Sequence, residues 1–155
     1  MSKQKIKSHN RSLLMYHIVC PAKYRKVIFD EKVDQVLKEV CLEIAARYEI
    51  DFIEIGIDKD HVHFLVQSVP TYSPTKIART IKSITAREIF ARVPDVKKQL
   101  WGGEFWSKAY YVSTVGKYGD ERKIADYVRN QGMGKNYKPL HQQAINAGQM
   151  VLVME

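Results

Sequence analysis

Two short runs rich in apolar and β-branched residues, Phe52-Ile53-Glu54-Ile55-Gly56-Ile57 and His61-Val62-His63-Phe64-Leu65-Val66, are separated only by Asp58-Lys59-Asp60. Each run has the composition and length of a strand. So short a polar connection between them predicts an antiparallel hairpin. This segment therefore commits the middle of the chain to a sheet. It also fixes a direction. Strand side chains alternate faces, so His61 and His63 point to one side and Val62 to the other. Two imidazoles one pleat apart on a common face can hold a single metal ion.

The flanking segments supply the remaining layers. Leu13–Cys20 predicts a first strand, ended by Pro21 and the basic stretch Lys23-Tyr24-Arg25-Lys26. Asp30 is an N-cap for a long helix in which Val33, Val36, Leu37, Val40, Cys41, Ile44 and Tyr48 keep helical spacing. Ser73 and Pro74 form an N-cap and N1 pair for a second helix running to about Arg92. Ile77, Ile81 and Ile84 cluster on one side of that helix, with Lys76, Arg79, Lys82 and Arg87 roughly opposite. An aromatic, glycine-bearing turn (Trp101–Trp106) leads to a fourth strand over Ala109–Val115, and a last helix spans Ile124–Gln131. Gly116 and Gly119 flank a joint that can act as a hinge before that helix.

Strand, helix, strand, strand, helix, strand and an extra helix suit an α+β fold. The expected form is a ferredoxin-like (RRM-like) antiparallel sheet with two helices on one face, the histidine strand central and the C-terminal helix an addition. There is no internal repeat and no sign of a second domain. The tail beyond Gly132 is polar and basic, then ends in Met150-Val151-Leu152-Val153-Met154. No structure is assigned to it.

Charge narrows the partner. Lys and Arg number 25 against 17 Asp and Glu, a formal +8. That surplus favours a polyanion, either nucleic acid or an anionic membrane surface. No apolar run approaches the ~20 residues of a membrane span. The basic N-terminus lacks the apolar core of a secretory signal. Cys20 and Cys41 form no CxxC pair and no disulfide framework, so a reducing cytoplasm is expected, with both thiols as small buried hydrophobes.

The last helix carries Tyr127 and Gln131 at i and i+4, on one face. A tyrosine nucleophile, an amide oxygen and a two-histidine half-site together make a phosphodiester-cleaving set. A competing account exists for each part. A His-x-His pair also arises from packing. Ile124, Tyr127, Val128 and Gln131 also follow the spacing of a core stripe, although a buried amide at its end would need a hydrogen-bond partner. The scattered His9, His17 and His141 are expected to be structural or solvent-exposed. His61 and His63 have no third His or Cys at zinc spacing, which argues against a zinc hydrolase.

These motifs closely resemble the small HUH-type transposases of bacterial and archaeal insertion sequences, single-tyrosine enzymes that move single-stranded DNA. The resemblance runs from Tyr16-His17-Ile18-Val19 with Pro21 and Lys23-Tyr24-Arg25, through Asp60-His61-Val62-His63, to Phe105-Trp106-Ser107, Tyr110–Gly116 and Tyr127-Val128-Arg129-Asn130-Gln131. It implies one domain with a core over about residues 10–131 and a variable tail, 132–155. It further implies that His61, His63 and Gln131 bind a divalent ion, Mg²⁺ or Mn²⁺. Tyr127 would attack the scissile phosphate, leaving a 5′-phosphotyrosine link and a free 3′-hydroxyl. The expected substrate is single-stranded DNA with hairpins near the element ends. The expected assembly is a homodimer, in which the tyrosine helix of one subunit can complete the site of the other. Lys23, Arg25, Lys76, Arg79, Lys82 and Arg87 are the candidates for DNA-backbone contacts. A non-catalytic nucleic-acid-binding module on the same sheet remains the alternative, as does a domesticated relative that processes palindromes.

Overall fold

The expected hairpin forms, and the rest of the fold is arranged around it. The computed structural model describes residues 2–116 and 120–132. A two-residue ladder between β1 (Lys5–Ile6) and β2 (Arg11–Ser12) opens the chain. The main elements follow in the order β3 (Leu14–Pro21), α1 (Glu31–Arg47), β4 (Asp51–Ile57), β5 (His61–Ser68), α2 (Pro74–Arg92), α3 (Pro94–Gln99), β6 (Tyr111–Thr114) and α4 (Asp120–Asn130). β3, β4, β5 and β6 make one sheet in the order β4-β5-β3-β6, with every neighbouring pair antiparallel. This is the split β-α-β arrangement, and the histidine strand β5 is internal.

Local chemistry sets the helix starts. The Asp30 carboxylate accepts from the Val33 amide at 2.9 Å, and the Ser73 hydroxyl accepts from the Lys76 amide at 3.0 Å. Each satisfies a donor that the first helical turn leaves without a partner. Pro74 at the first position of α2 removes another.

α1 and α2 cover one face of the sheet. Their apolar stripes close over Tyr16, Ile18, Cys20, Val62, Phe64 and Val66, with Phe105 and Trp106 filling the end of the layer. The Trp106 indole N–H donates to the Thr85 hydroxyl at 2.9 Å, so this polar pair is satisfied inside the core. Cys20 and Cys41 lie in the same layer, fully buried, and burial pushes the Cys20 thiol up to about 12. α4 covers the other face. It packs over a smaller cluster of Met15, Ile53, Leu65, Val115, Ala125 and Val128.

Four elements depart from the sequence expectation. β6 has four residues, so Ala109 and Tyr110 precede the ladder. α3 is a six-residue helix started by Pro94, too short to show a periodic stripe. β1 and β2 have two residues each. The Gly116–Gly119 hinge falls partly on residues 117–119, outside the described residues, as does the tail from residue 133.

Candidate active site

The α4 face of the sheet carries the polar residues. β3 and β5 pair with Pro21 opposite His61, Val19 opposite His63 and His17 opposite Leu65. Opposed residues share a face, so His17 joins His61 and His63 on one surface. The two motif imidazoles have ring centroids 5.0 Å apart. His63 and His17 stack at 5.1 Å, with His17 Nε2 2.9 Å from His63 Nδ1. Of the two expectations for His17, structural or solvent-exposed, the first holds: it is buried at 7% exposure, and its partner is a motif histidine. Burial lowers the His17 pKa. Burial, helped by the charges of His17 and His61, lowers that of His63 to about 4. Both rings are therefore neutral at pH 7.

Each motif histidine has one nitrogen engaged by a neighbour. His61 Nδ1 lies 2.8 Å from Asp60 Oδ1, and Arg25 Nε donates to Asp60 Oδ2 at 3.0 Å. The hydrogen bond from His61, together with Arg25, holds the Asp60 carboxyl below the usual carboxylate range. An anionic acceptor on Nδ1 keeps the proton there and leaves Nε2 with a lone pair. With its proton on Nδ1 and donated to His17, His63 likewise keeps the Nε2 lone pair.

α4 brings the other candidates in. Gly56, opposite His63 on the hairpin, is where the helix end meets the sheet. A Cβ at Gly56 would lie 1.6 Å from the Val128 carbonyl oxygen and 3.3 Å from Gln131 Cβ. The missing side chain lets the C-terminal turn of α4 approach the histidine strand. Polar links hold the helix as well. Arg129 donates to Glu54 at 3.3 Å, and the Ser2 amide and hydroxyl donate to the Glu121 carboxylate at 2.9–3.0 Å.

Tyr127 does not belong to the buried stripe of α4, which runs through Glu121, Ala125 and Val128. It stands beside that stripe at 48% exposure. Its ring meets His63 edge-on at 5.5 Å and His17 at 5.9 Å between centroids. The core-stripe account therefore fails for Tyr127. The half-open phenol stands beside the two imidazoles, outside the buried stripe.

The donor chemistry suits a divalent ion. In the tautomer with both protons on Nδ1, the two imidazoles offer Nε2 lone pairs, and the Asp58 carboxylate lies 3.9 Å from His61 Nε2. Among the described residues no three His, Cys, Asp or Glu side chains converge on one point. A ligand set built only from those types is thus incomplete, and a further oxygen donor would have to come from another residue type, such as the amide of Gln131, whose Cβ lies at the Gly56 contact.

The cationic candidates divide into two groups. Lys23 and Arg25 lie next to the histidines, but each has an acidic partner: Lys23 pairs with Glu104 at 2.7 Å and Arg25 with Asp60. Lys76, Arg79, Lys82 and Arg87 belong to α2, on the far side of the sheet from His61 and His63. Lys76 lies over the Tyr72 ring at 4.1 Å and Lys82 over Tyr110 at 5.4 Å.

The turn carrying Lys23 and Arg25 has an unusual backbone. Tyr24 and Arg25 adopt φ of 57° and 52° in succession. For residues with a Cβ this left-handed region costs about 1–3 kcal/mol each.

A fold and site of this kind define a family of DNA-transposing proteins. The model of the family described as "Transposase IS200 like" matches residues 10–131, and the chain belongs to that family. It is 30% identical over 118 residues to the ISDra2 transposase TnpA of Deinococcus radiodurans, covering 76% of this chain and 84% of that one. It is 28% identical over 131 residues to the transposase for insertion sequence element IS200 of Salmonella typhimurium, covering 84% and 85%. Among solved structures, a crystal structure of a Deinococcus radiodurans R1 protein assigned as a transposase superposes with a TM-score of 0.67 at 28% identity, covering 82% of this chain and 97% of that one. A REP-associated tyrosine transposase bound to a REP hairpin shares the fold at a TM-score of 0.59 and 12% identity, covering 97% and 92%.

Proposed function

We propose that this transposase cleaves and rejoins single-stranded DNA through a covalent link to Tyr127, with the help of a divalent ion held by His61, His63 and Gln131. The observation that carries the reading is the half-exposed Tyr127 ring set edge-on against His63, at 5.5 Å between centroids. Tyr127 Oη attacks the scissile phosphorus, and the bond to the 3′-oxygen breaks. The tyrosine gives up its proton, the 3′-oxygen takes one and leaves with the upstream fragment, and the downstream fragment stays on the protein through its 5′-phosphate as a phosphotyrosine. Attack by the 3′-hydroxyl of another strand reverses these steps at a new junction. The phosphodiester energy is kept, so joining needs no ATP.

The ion, Mg²⁺ or Mn²⁺, would supply charge stabilisation at the phosphate oxygens. The chain's own residues do the rest. Asp60 and His17 orient the two imidazoles, and Gly56 lets α4 bring Tyr127 and Gln131 to them. The substrate class is a single strand flanked by a hairpin, by analogy with the hairpin-bound relative of the same fold. The working assembly is a homodimer. Among the described residues no helix is long and apolar enough to cross a membrane.

The test is incubation with labelled single-stranded DNA from the flanks of the gene. A covalent adduct is expected for the wild type and none for Tyr127→Phe, which loses only the phenolic oxygen. His61→Ala and His63→Ala should also abolish it, and EDTA should reproduce their effect. An adduct at wild-type yield from Tyr127→Phe overturns the assignment. Mixing Tyr127→Phe with His61→Ala/His63→Ala subunits tests whether sites are shared, because only sites built from two subunits regain cleavage on mixing.

A further inference from the structure

We propose that Tyr24 is a stacking platform for an unpaired nucleobase next to the scissile phosphate. The proposal rests on the reading of the substrate as single-stranded DNA. Three observations on the turn after β3 lead to it.

The first is conformation. Tyr24 and Arg25 are both held at positive φ, 57° and 52°. Bulky side chains rarely adopt this conformation unless the surroundings impose it. Here the surroundings do. The Ala22 amide donates to the Asp60 carbonyl at 2.8 Å, the Lys23 amide to Phe105 at 2.9 Å and the Ser107 amide to Pro21 at 2.9 Å. The turn is thus pinned to the histidine hairpin on one side and to the segment before β6 on the other.

The second is what the pinned turn displays. Tyr24 is 59% exposed, and Pro21, Ala22, Lys23, Arg25 and Ser107 line an open cleft with it. An exposed aromatic ring alone needs no explanation. One held in a strained conformation, on a turn fixed at both sides, does.

The third is position and charge. Pro21 lies directly opposite His61 in the ladder, and Arg25 reaches His61 through Asp60. Both cations flanking the ring already have carboxylate partners, Glu104 and Asp60. The chemistry left to a ligand is the π face of the ring, with the Lys23 ammonium 5.2 Å from its centroid. That surface suits a nucleobase better than a phosphate, and base stacking on an aromatic ring tolerates any sequence.

The test compares two 12-nucleotide strands, one with bases throughout and one with an abasic residue walked through each position, bound to full-length protein in EDTA. Tyr24→Gly is the principal variant, because glycine adopts positive φ freely and removes the ring without disturbing the backbone. Its affinity for the intact strand should fall about tenfold, the loss expected for one stacked base. Tyr24→Phe and Tyr24→Trp should bind like the wild type. One abasic position should weaken wild-type binding equally and leave Tyr24→Gly unaffected. A 2-aminopurine at that position should be quenched by the wild type and not by Tyr24→Gly. The proposal is overturned if Tyr24→Gly binds the intact strand unchanged, or if no abasic position cancels its defect. Because binding in EDTA requires no cleavage, these outcomes are independent of adduct formation at Tyr127, which tests the enzymatic reading separately.

Discussion

The two faces of the sheet are built on different scales. Under α1 and α2, thirty buried residues form one continuous core. Under α4, six of the described residues do, alongside histidines, a glycine and polar links. At about 25 cal/mol per Å² of buried apolar surface, the first face holds the fold together and the second only docks a helix. The difference teaches where the molecule can open. Local opening is cheapest where few apolar contacts must break, and here that is the helix carrying the proposed nucleophile. A strand-transferring protein needs a rigid frame and a nucleophile that can be repositioned, and the sheet separates the two.

The comparison can be broken most directly by truncating each face. Phe64→Ala, fully buried under α1 and α2, should cost about 3–5 kcal/mol of global stability. Val128→Ala, also fully buried but on the sheet-facing side of α4, should lose roughly 1–2 kcal/mol and speed amide exchange only in α4. Equal drops in urea midpoint would mean that the two faces unfold as one unit.

Gly56→Ala separates docking from folding. The new Cβ would meet the Val128 carbonyl, so α4 must shift away from the hairpin while the large core keeps its packing. Cleavage and adduct formation should fall at least about tenfold, with a thermal midpoint lowered less than by Phe64→Ala. Wild-type cleavage by this variant would show that the contact between α4 and Gly56 is dispensable.

Acid should act on the α4 face first. His17 and His63 are the buried histidines among the described residues, and both have pKa values lowered by burial, His63 to about 4. In the unfolded chain they protonate near their ordinary value of 6.5. Between 6.5 and about 4 the unfolded state therefore binds more protons, and stability falls as pH drops through that window. Urea titrations of metal-free protein at pH 7 and 4.5 should show the decline, and His63→Ala should flatten it.

A further comparison lies in the side chains behind the proposed ligands. Asp60→Asn should weaken Mn²⁺ binding about 10- to 100-fold, read by calorimetry without DNA, because His61 loses its anionic acceptor. His17→Ala should do the same through His63. Unchanged Mn²⁺ affinity in both variants would remove the orienting role given to them.

Much of this was legible in the sequence, for identifiable reasons. The hairpin, the two long helices and their caps rest on periodicity and on single residues such as Asp30 and Ser73, and these are local signals. The shared face of His61 and His63 follows from alternation alone. His17 was not legible as a site residue. Its place depends on the register between β3 and β5, which sets His17 beside His63, 46 positions away, and which no local pattern encodes. Gly56 was hidden for a similar reason, since a glycine inside a strand gives no hint of which helix will cross it. The left-handed backbone at Tyr24 and Arg25 was equally invisible, because neither residue type favours it.

The link from Ser2 to Glu121 joins residues 119 positions apart. During synthesis the N-terminal segment waits, without its partner, while the sheet and its large core are completed. Only when the chain has emerged past α4 can the two residues meet. Contacts of such long sequence separation form late, after the entropy of closing the loop has been overcome. The protein thus acquires its fold before the helix carrying the proposed nucleophile is set in place. In refolding experiments, recovery of strand cleavage should lag behind the return of secondary structure.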